Sequence, residues 1–134
     1  MTKVLFVCVA NGGRSVLAER IFNQLAHGRH EARSAGSEPG AHVHPVVVQA
    51  LAELGIDASG HVPARLDQET IEWSDLIVST CAEEGCPVTY GRPRIRWEFP
   101  DPKGKPIQEV RQTRAAVRAD VEDLLAELDA RAVP

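Results

Sequence analysis

The sequence predicts an α/β domain: a four-stranded parallel sheet with helices on both faces. Three observations lead there. Short, β-branched apolar runs alternate along the chain with segments whose apolar residues recur every three or four positions. The first run, Val4-Leu5-Phe6-Val7, is apolar at consecutive positions, as in a strand covered on both faces. It passes through Asn11-Gly12-Gly13 straight into an amphipathic segment, the order that begins a parallel crossover unit.

Lys3–Cys8 is the first strand, and it ends in a cysteine. Residues 15–26 form the first helix, with Leu17, Ile21 and Leu25 beside Ala18 and Phe22 on the core-facing side. Glu31–Gly36 is a short second strand, with Ser34 and Ser37 near its end, leading into the polar loop Ser37-Glu38-Pro39-Gly40. Residues 45–54 form a second helix with Val47, Ala50, Leu51 and Leu54 on one face, and Gly55 stops it. Residues 67–73 make a short helix capped by Asp67. Residues 76–80 form the third strand, ending at Cys81. Residues 94–99 alternate Ile95, Trp97 and Phe99 with Arg94, Arg96 and Glu98, the pattern of a half-buried edge strand. Residues 100–104 are loop. The last helix covers residues 107–128, with Val110, Val117, Val121, Leu124 and Leu128 as its buried stripe. Trp73 and Trp97 read as core residues. His27, His30, His42, His44 and His61 read as surface or loop residues, because their spacing does not suit a metal. Glu122 and Asp129 read as part of a solvated acidic face.

The 134 residues fit one domain, residues 1–134, with no repeat or linker. A net charge of −4 excludes a basic nucleic-acid surface. No apolar run is long enough to span a membrane, and the first one is too short for a signal peptide. Three cysteines are an odd number, against a secreted disulfide framework. A cytoplasmic monomer is expected, in whose reducing surroundings any disulfide is transient.

In open parallel sheets, ligands bind beyond the carboxyl ends of the strands. Cys8, Cys81, Asp101, Ser34 and Ser37 all fall at or after strand ends, so the fold class gathers them on one rim. The loop Val9-Ala10-Asn11-Gly12-Gly13 followed by Arg14-Ser15 makes an oxyanion cradle. Backbone N–H groups and the helix dipole point at whatever sits there, and Arg14 adds a planar two-pronged donor. Cys8 sits under the same dipole beside a cation, which favours its thiolate and suits attack on a phosphate-like centre. A nucleotide-binding loop would need lysine where Arg14 stands. A dinucleotide fingerprint would need glycine where Ser15 stands. The alternative is a buried structural cysteine before an ordinary turn.

Asp101, between two prolines, is the candidate general acid; otherwise it is a turn former. Cys81 and Cys86 invite thiol chemistry, and zinc would need further ligands. If helical, the segment would hold them about 7.5 Å apart along its axis, beyond the roughly 4.4–6.8 Å a disulfide tolerates. A bond between them therefore requires unwinding, which Gly85 and Pro87 permit. Glu83 and Glu84 should keep these thiols protonated at rest. No metal and no cofactor are expected from the residues themselves.

Residues 4–20, with Cys8-x5-Arg14-Ser15, resemble the low-molecular-weight tyrosine phosphatase superfamily, and the likeness extends over nearly the whole chain. Within it, Cys81, Cys86 and Trp97-Glu98-Phe99-Pro100-Asp101-Pro102-Lys103-Gly104-Lys105 resemble the thioredoxin-coupled arsenate reductases. The phosphatase branch usually has an aromatic residue soon after its Asp-Pro, where Lys103 stands here, and it lacks the two resolving cysteines. The resemblance implies a phosphatase-like fold and arsenic detoxification by a three-cysteine relay. In that relay Cys8 attacks arsenate held by Arg14 and the amides of residues 9–15, and Ser15 stabilises the thiolate. Asp101 protonates the departing oxygen. Cys81 attacks Cys8, Cys86 attacks Cys81, and thioredoxin reduces the product. Gly13 stands where relatives often carry another cysteine, and the Cys81–Cys86 spacing is shorter than usual. Some relatives bind potassium near the loop; Asn11, Glu19 and Ser34 match that site, whereas Val62 and Ala64 replace its other polar contributors. A phosphatase using Cys8, Arg14 and Asp101, and a non-catalytic oxyanion-binding redox sensor, are the competing functions.

Overall fold

The computed structural model describes residues 1–81 and 93–132. Its strands are β1 (Lys3–Cys8), β2 (Glu31–Gly36), β3 (Leu76–Ser79) and β4 (Arg94–Arg96). Its helices are α1 (Arg14–Ala26), α2 (Pro45–Ala52), α3 (Gln68–Trp73) and α4 (Ile107–Ala132). All strand pairs are parallel, in the order β2-β1-β3-β4. Cys8 is in register with Gly36 of β2, and Val7 with Ser79 of β3. The chain leaves central β1 toward β2 and then crosses to β3 on the other side. The crevice beyond the carboxyl end of β1 is therefore a topological switch point, where such sheets bind ligands.

The consecutive apolar residues of β1 have a simple use. Val4 and Phe6 enter a large core with Leu17 and Phe22 of α1, Leu51 of α2 and Val121 of α4. Leu5 and Val7 face the other way, against Ala35, Ile77, Leu66 and Ile71 of α3. Alternation along a strand gives each face of the sheet its own apolar layer.

β1 and β2 have the expected bounds. β4 is shorter than expected: the Trp97 N–H still donates to the Ser79 carbonyl at 2.8 Å, but Phe99 turns inward to pack edge-on against Trp97 at 6.2 Å. Trp97 in turn lies 5.7 Å from Phe6. α2 ends at Ala52, where tight turns take over and Gly55 adopts φ +77°. Asp67 caps α3 by accepting the Thr70 N–H at 2.8 Å.

Three expectations need correcting. Trp73 is only half-buried, and its ring lies 4.1 Å beneath the Arg33 guanidinium. His30 is buried, and accepts the Thr2 N–H at Nδ1, at 3.0 Å. Its Nε2 then carries the proton and donates to Asp129 at 2.9 Å. Asp129, which Arg29 also grips at 3.0 Å, is thus a clamp at the amino end of the sheet. Among the described residues, no helix is long and apolar enough to cross a membrane.

Candidate active site

The loop after β1 is turned inside out by its hydrogen bonds. The carbonyls of Cys8, Val9, Ala10 and Gly12 accept N–H groups from Ser37, Glu38, Gly40 and His44 at 2.8–3.2 Å. In a planar trans peptide, a carbonyl held outward sends the next N–H the opposite way. The amides of Val9, Ala10, Asn11 and Gly13 therefore face inward. The Asn11 N–H does so visibly, donating to Cys8 Sγ at 3.2 Å. Gly13 is the N-cap of α1 and offers no side-chain cap, so the first-turn amides and the helix dipole also open on this hollow. Cys8 is a free thiol, 2 % exposed, with Ser15 Oγ 2.9 Å from its sulfur.

Cys8, Val9, Ala10, Gly12, Gly13, Arg14 and Asp101 line one cavity of about 410 Å³, as the sequence implied. Asn11 and Ser15 stand behind it, fully buried. Asn11 takes φ +50°, a left-handed conformation that asparagine accepts more readily than most side chains. The glycines serve space instead of angle. A Cβ on Gly13 would come within 2.6 Å of Pro102 Cγ, and one on Gly12 within 3.3 Å of the His44 ring. Gly13 thus lets the Asp101–Pro102 loop close over the cradle. Arg14, 5 % exposed, donates to the Phe99 carbonyl at 3.4 Å, which ties the oxyanion fork to the same loop. The Asp101 side chain is exposed on the cavity wall, and its Oδ1 accepts the Lys103 N–H at 3.0 Å.

Several functional residues escaped the sequence reading. His42 and His44 are loop residues, as expected, and with Lys103 they also line the cavity wall. Burial is the main cause holding the His44 imidazole below its ordinary range; Lys103, His42 and Arg14 add to it, against the pull of Asp101. Gly36 backs the loop so closely that a Cβ there would lie 2.4 Å from the Val9 carbonyl. One signal was available: the loop after β2 must open on the same rim as the loop after β1.

Cys81 follows β3, the strand beside β1, and is fully buried. It is disulfide-bonded and does not line the cavity. Cys86, with Glu83, Glu84, Gly85 and Pro87, lies outside the described residues. The potassium candidates do come together, but as a closed network. Asn11 Oδ1 accepts the Ala64 N–H at 2.9 Å and faces His61 Nε2 at 3.2 Å. Glu19 pairs with Arg20, whose Nε is 3.2 Å away, and accepts from Ser34 Oγ at 3.1 Å. Burial pushes the Glu19 carboxyl up, while Arg20 and the Ser34 hydrogen bonds oppose it. A site with two N–H donors on its asparagine oxygen and a guanidinium on its carboxylate does not fit a metal cation.

The low molecular weight phosphotyrosine protein phosphatase family model matches residues 3–133. The chain belongs to that family. Within it, the chain is 34 % identical over 125 residues to an arsenate reductase of Staphylococcus epidermidis, covering 89 % of this chain and 92 % of that one. An arsenate reductase structure from Archaeoglobus fulgidus superposes with a TM-score of 0.83 at 37 % identity, covering 92 % of this chain and 98 % of the other. A thioredoxin-dependent arsenate reductase of Corynebacterium glutamicum superposes with a TM-score of 0.81 at 30 % identity, covering 98 % of this chain and 63 % of its own. The family assignment explains the cradle. These relatives carry the name of the redox reaction, which the cradle alone does not select.

Proposed function

We propose that this protein reduces arsenate to arsenite by a three-cysteine relay. The observation that carries the reading is the free Cys8 thiol at the floor of an inward-facing amide cradle, with Asp101 on the wall. The similarity to arsenate reductases supports arsenate as the oxyanion. A free Cys8 at the end of β1 and a disulfide-bonded Cys81 just after β3, the strand paired with β1, support a resolving role for Cys81.

The Cys8 thiolate attacks arsenic, and Asp101 gives a proton to the oxygen that leaves as water. The Cys81 thiolate then attacks Cys8 Sγ. The S–S bond forms as the As–S pair moves onto arsenic, which leaves as arsenite. Cys86 attacks Cys81 and frees the Cys8 thiolate. A dithiol of the thioredoxin class reduces the Cys81–Cys86 disulfide. Net, one arsenate and two thiols become arsenite, water and one disulfide.

The test is arsenite formation with thioredoxin, its reductase and NADPH, set beside glutaredoxin and small thiols, with an aryl phosphate assayed in parallel. Stoichiometric arsenite and NADPH consumption is expected. Rapid aryl phosphate hydrolysis without arsenite would assign the cradle to phosphatase chemistry. Tight oxyanion binding without turnover would make it a sensor.

A further inference from the structure

A directional hydrogen-bond chain reaches Cys8 from the side away from the cavity. Arg20 Nη2 lies 3.2 Å from His61 Nδ1. A guanidinium only donates, so Nδ1 accepts and the His61 proton sits on Nε2. That N–H points at Asn11 Oδ1, 3.2 Å away, where the Ala64 N–H also arrives at 2.9 Å. Two donors on one atom fix the Asn11 amide; flipped, it would set N–H groups against N–H groups. Asn11 Nδ2 then donates to Ser15 Oγ at 2.8 Å, which leaves the Ser15 hydrogen for Cys8 Sγ at 2.9 Å.

We infer that Arg20, acting through His61, is a built-in cation that orients and polarises the Asn11–Ser15 pair onto Cys8, taking the place of a bound metal cation. Arg20 is itself held by Glu19, and Glu19 by Ser34. The side chains of His61 and Glu19 are only 9 % and 13 % exposed, so solvent screens the chain weakly. Burial first, and the Arg20 charge second, hold the His61 imidazole below its ordinary range, which keeps Nδ1 open to Arg20. Arg20 and His61 are positioning residues: neither lines the cavity. The inference rests on Cys8 being the nucleophile, and not on arsenate being its substrate.

The test is the pH profile of Cys8 alkylation by iodoacetamide, read on the Cys8 peptide by mass spectrometry, with the full chain reduced. On the cavity side Cys8 keeps Arg14, Asp101, His42, His44 and Lys103 in every variant. Arg20→Met and His61→Leu should move the profile to higher pH, slowing alkylation about two- to tenfold on the acid side, as for the loss of one or so net hydrogen bonds. His61→Gln can accept from Arg20 and donate to Asn11, and should keep the wild-type profile. The wild-type profile should be the same in potassium and in sodium. An unshifted profile in folded Arg20→Met overturns the inference, as does His61→Gln behaving like His61→Leu. So does a wild-type profile that moves to lower pH only with potassium. If His61→Leu does not fold, Arg20→Met, altered at a residue one-third exposed, still decides. No arsenate is used, so this result and the proposed reaction stand or fall separately.

Discussion

His30 and His61 are both engaged through both ring nitrogens, at opposite ends of the sheet. His30 joins the backbone of Thr2 to the Asp129 carboxylate. His61 joins the Arg20 cation to Asn11, and through it to Ser15 and Cys8. The ring tautomer is the same and the outcome is opposite. At the amino end the chain of donors stops on a salt-bridged carboxylate and only ties β1, β2 and α4 together. At the carboxyl end it stops on a thiol, beside glycines that leave no room for a Cβ. Buried polarity is structural where it closes on itself and functional where it ends on a reactive atom.

The comparison predicts which substitutions cost turnover and which cost only stability. Cys8→Ser should lower turnover by about a thousandfold or more with an unchanged urea midpoint; residual activity near wild type would remove Cys8 from the chemistry. Asp101→Asn should slow single-turnover chemistry by roughly a hundred- to ten-thousandfold, with anion binding held or tightened. Gly13→Ala must displace Pro102 and with it Asp101. A misplacement of that kind costs up to about a hundredfold, visible in kcat with the fold intact by circular dichroism. At the other end, His30→Ala should cost about 1–3 kcal/mol in urea unfolding and leave the Cys8 alkylation profile alone. A changed profile there would erase the distinction between the two ends.

The smallest expected effect is in pH. His61 and His44 are both held below their ordinary value of 6.5. As pH falls below about 6.5, the unfolded chain takes up protons that the folded chain refuses, so stability declines; above it both forms are neutral and these groups add no slope. Glu19, raised by burial, works the other way. The clean reading is therefore the difference between wild type and His61→Gln in urea midpoint from neutral to mildly acidic pH. Wild type should lose more.

The cradle was legible because it is local. Cys8, Arg14 and Ser15 lie within one strand, one loop and one helix turn, and the consecutive apolar residues of β1 report a strand covered on both faces. Less of the loop's inner packing was legible: Asn11 bears the positive φ, while Gly12 and Gly13 make room for His44 and Pro102. Those contacts join residues far apart in sequence, and no spacing rule carries them. Gly36 under Val9, and His61 on Asn11, were hidden for the same reason. Asp129 read as solvated because its partners, Arg29 and His30, are about a hundred residues away.

The relay is tested most directly by Cys86→Ser in a single turnover with arsenate. About one equivalent of arsenite is expected, then arrest, with a Cys8–Cys81 disulfide in the non-reduced peptide map. Cys81→Ser should stop earlier, releasing no arsenite. Sustained wild-type turnover of Cys86→Ser with thioredoxin would contradict the relay and mean that Cys8–Cys81 is reduced directly.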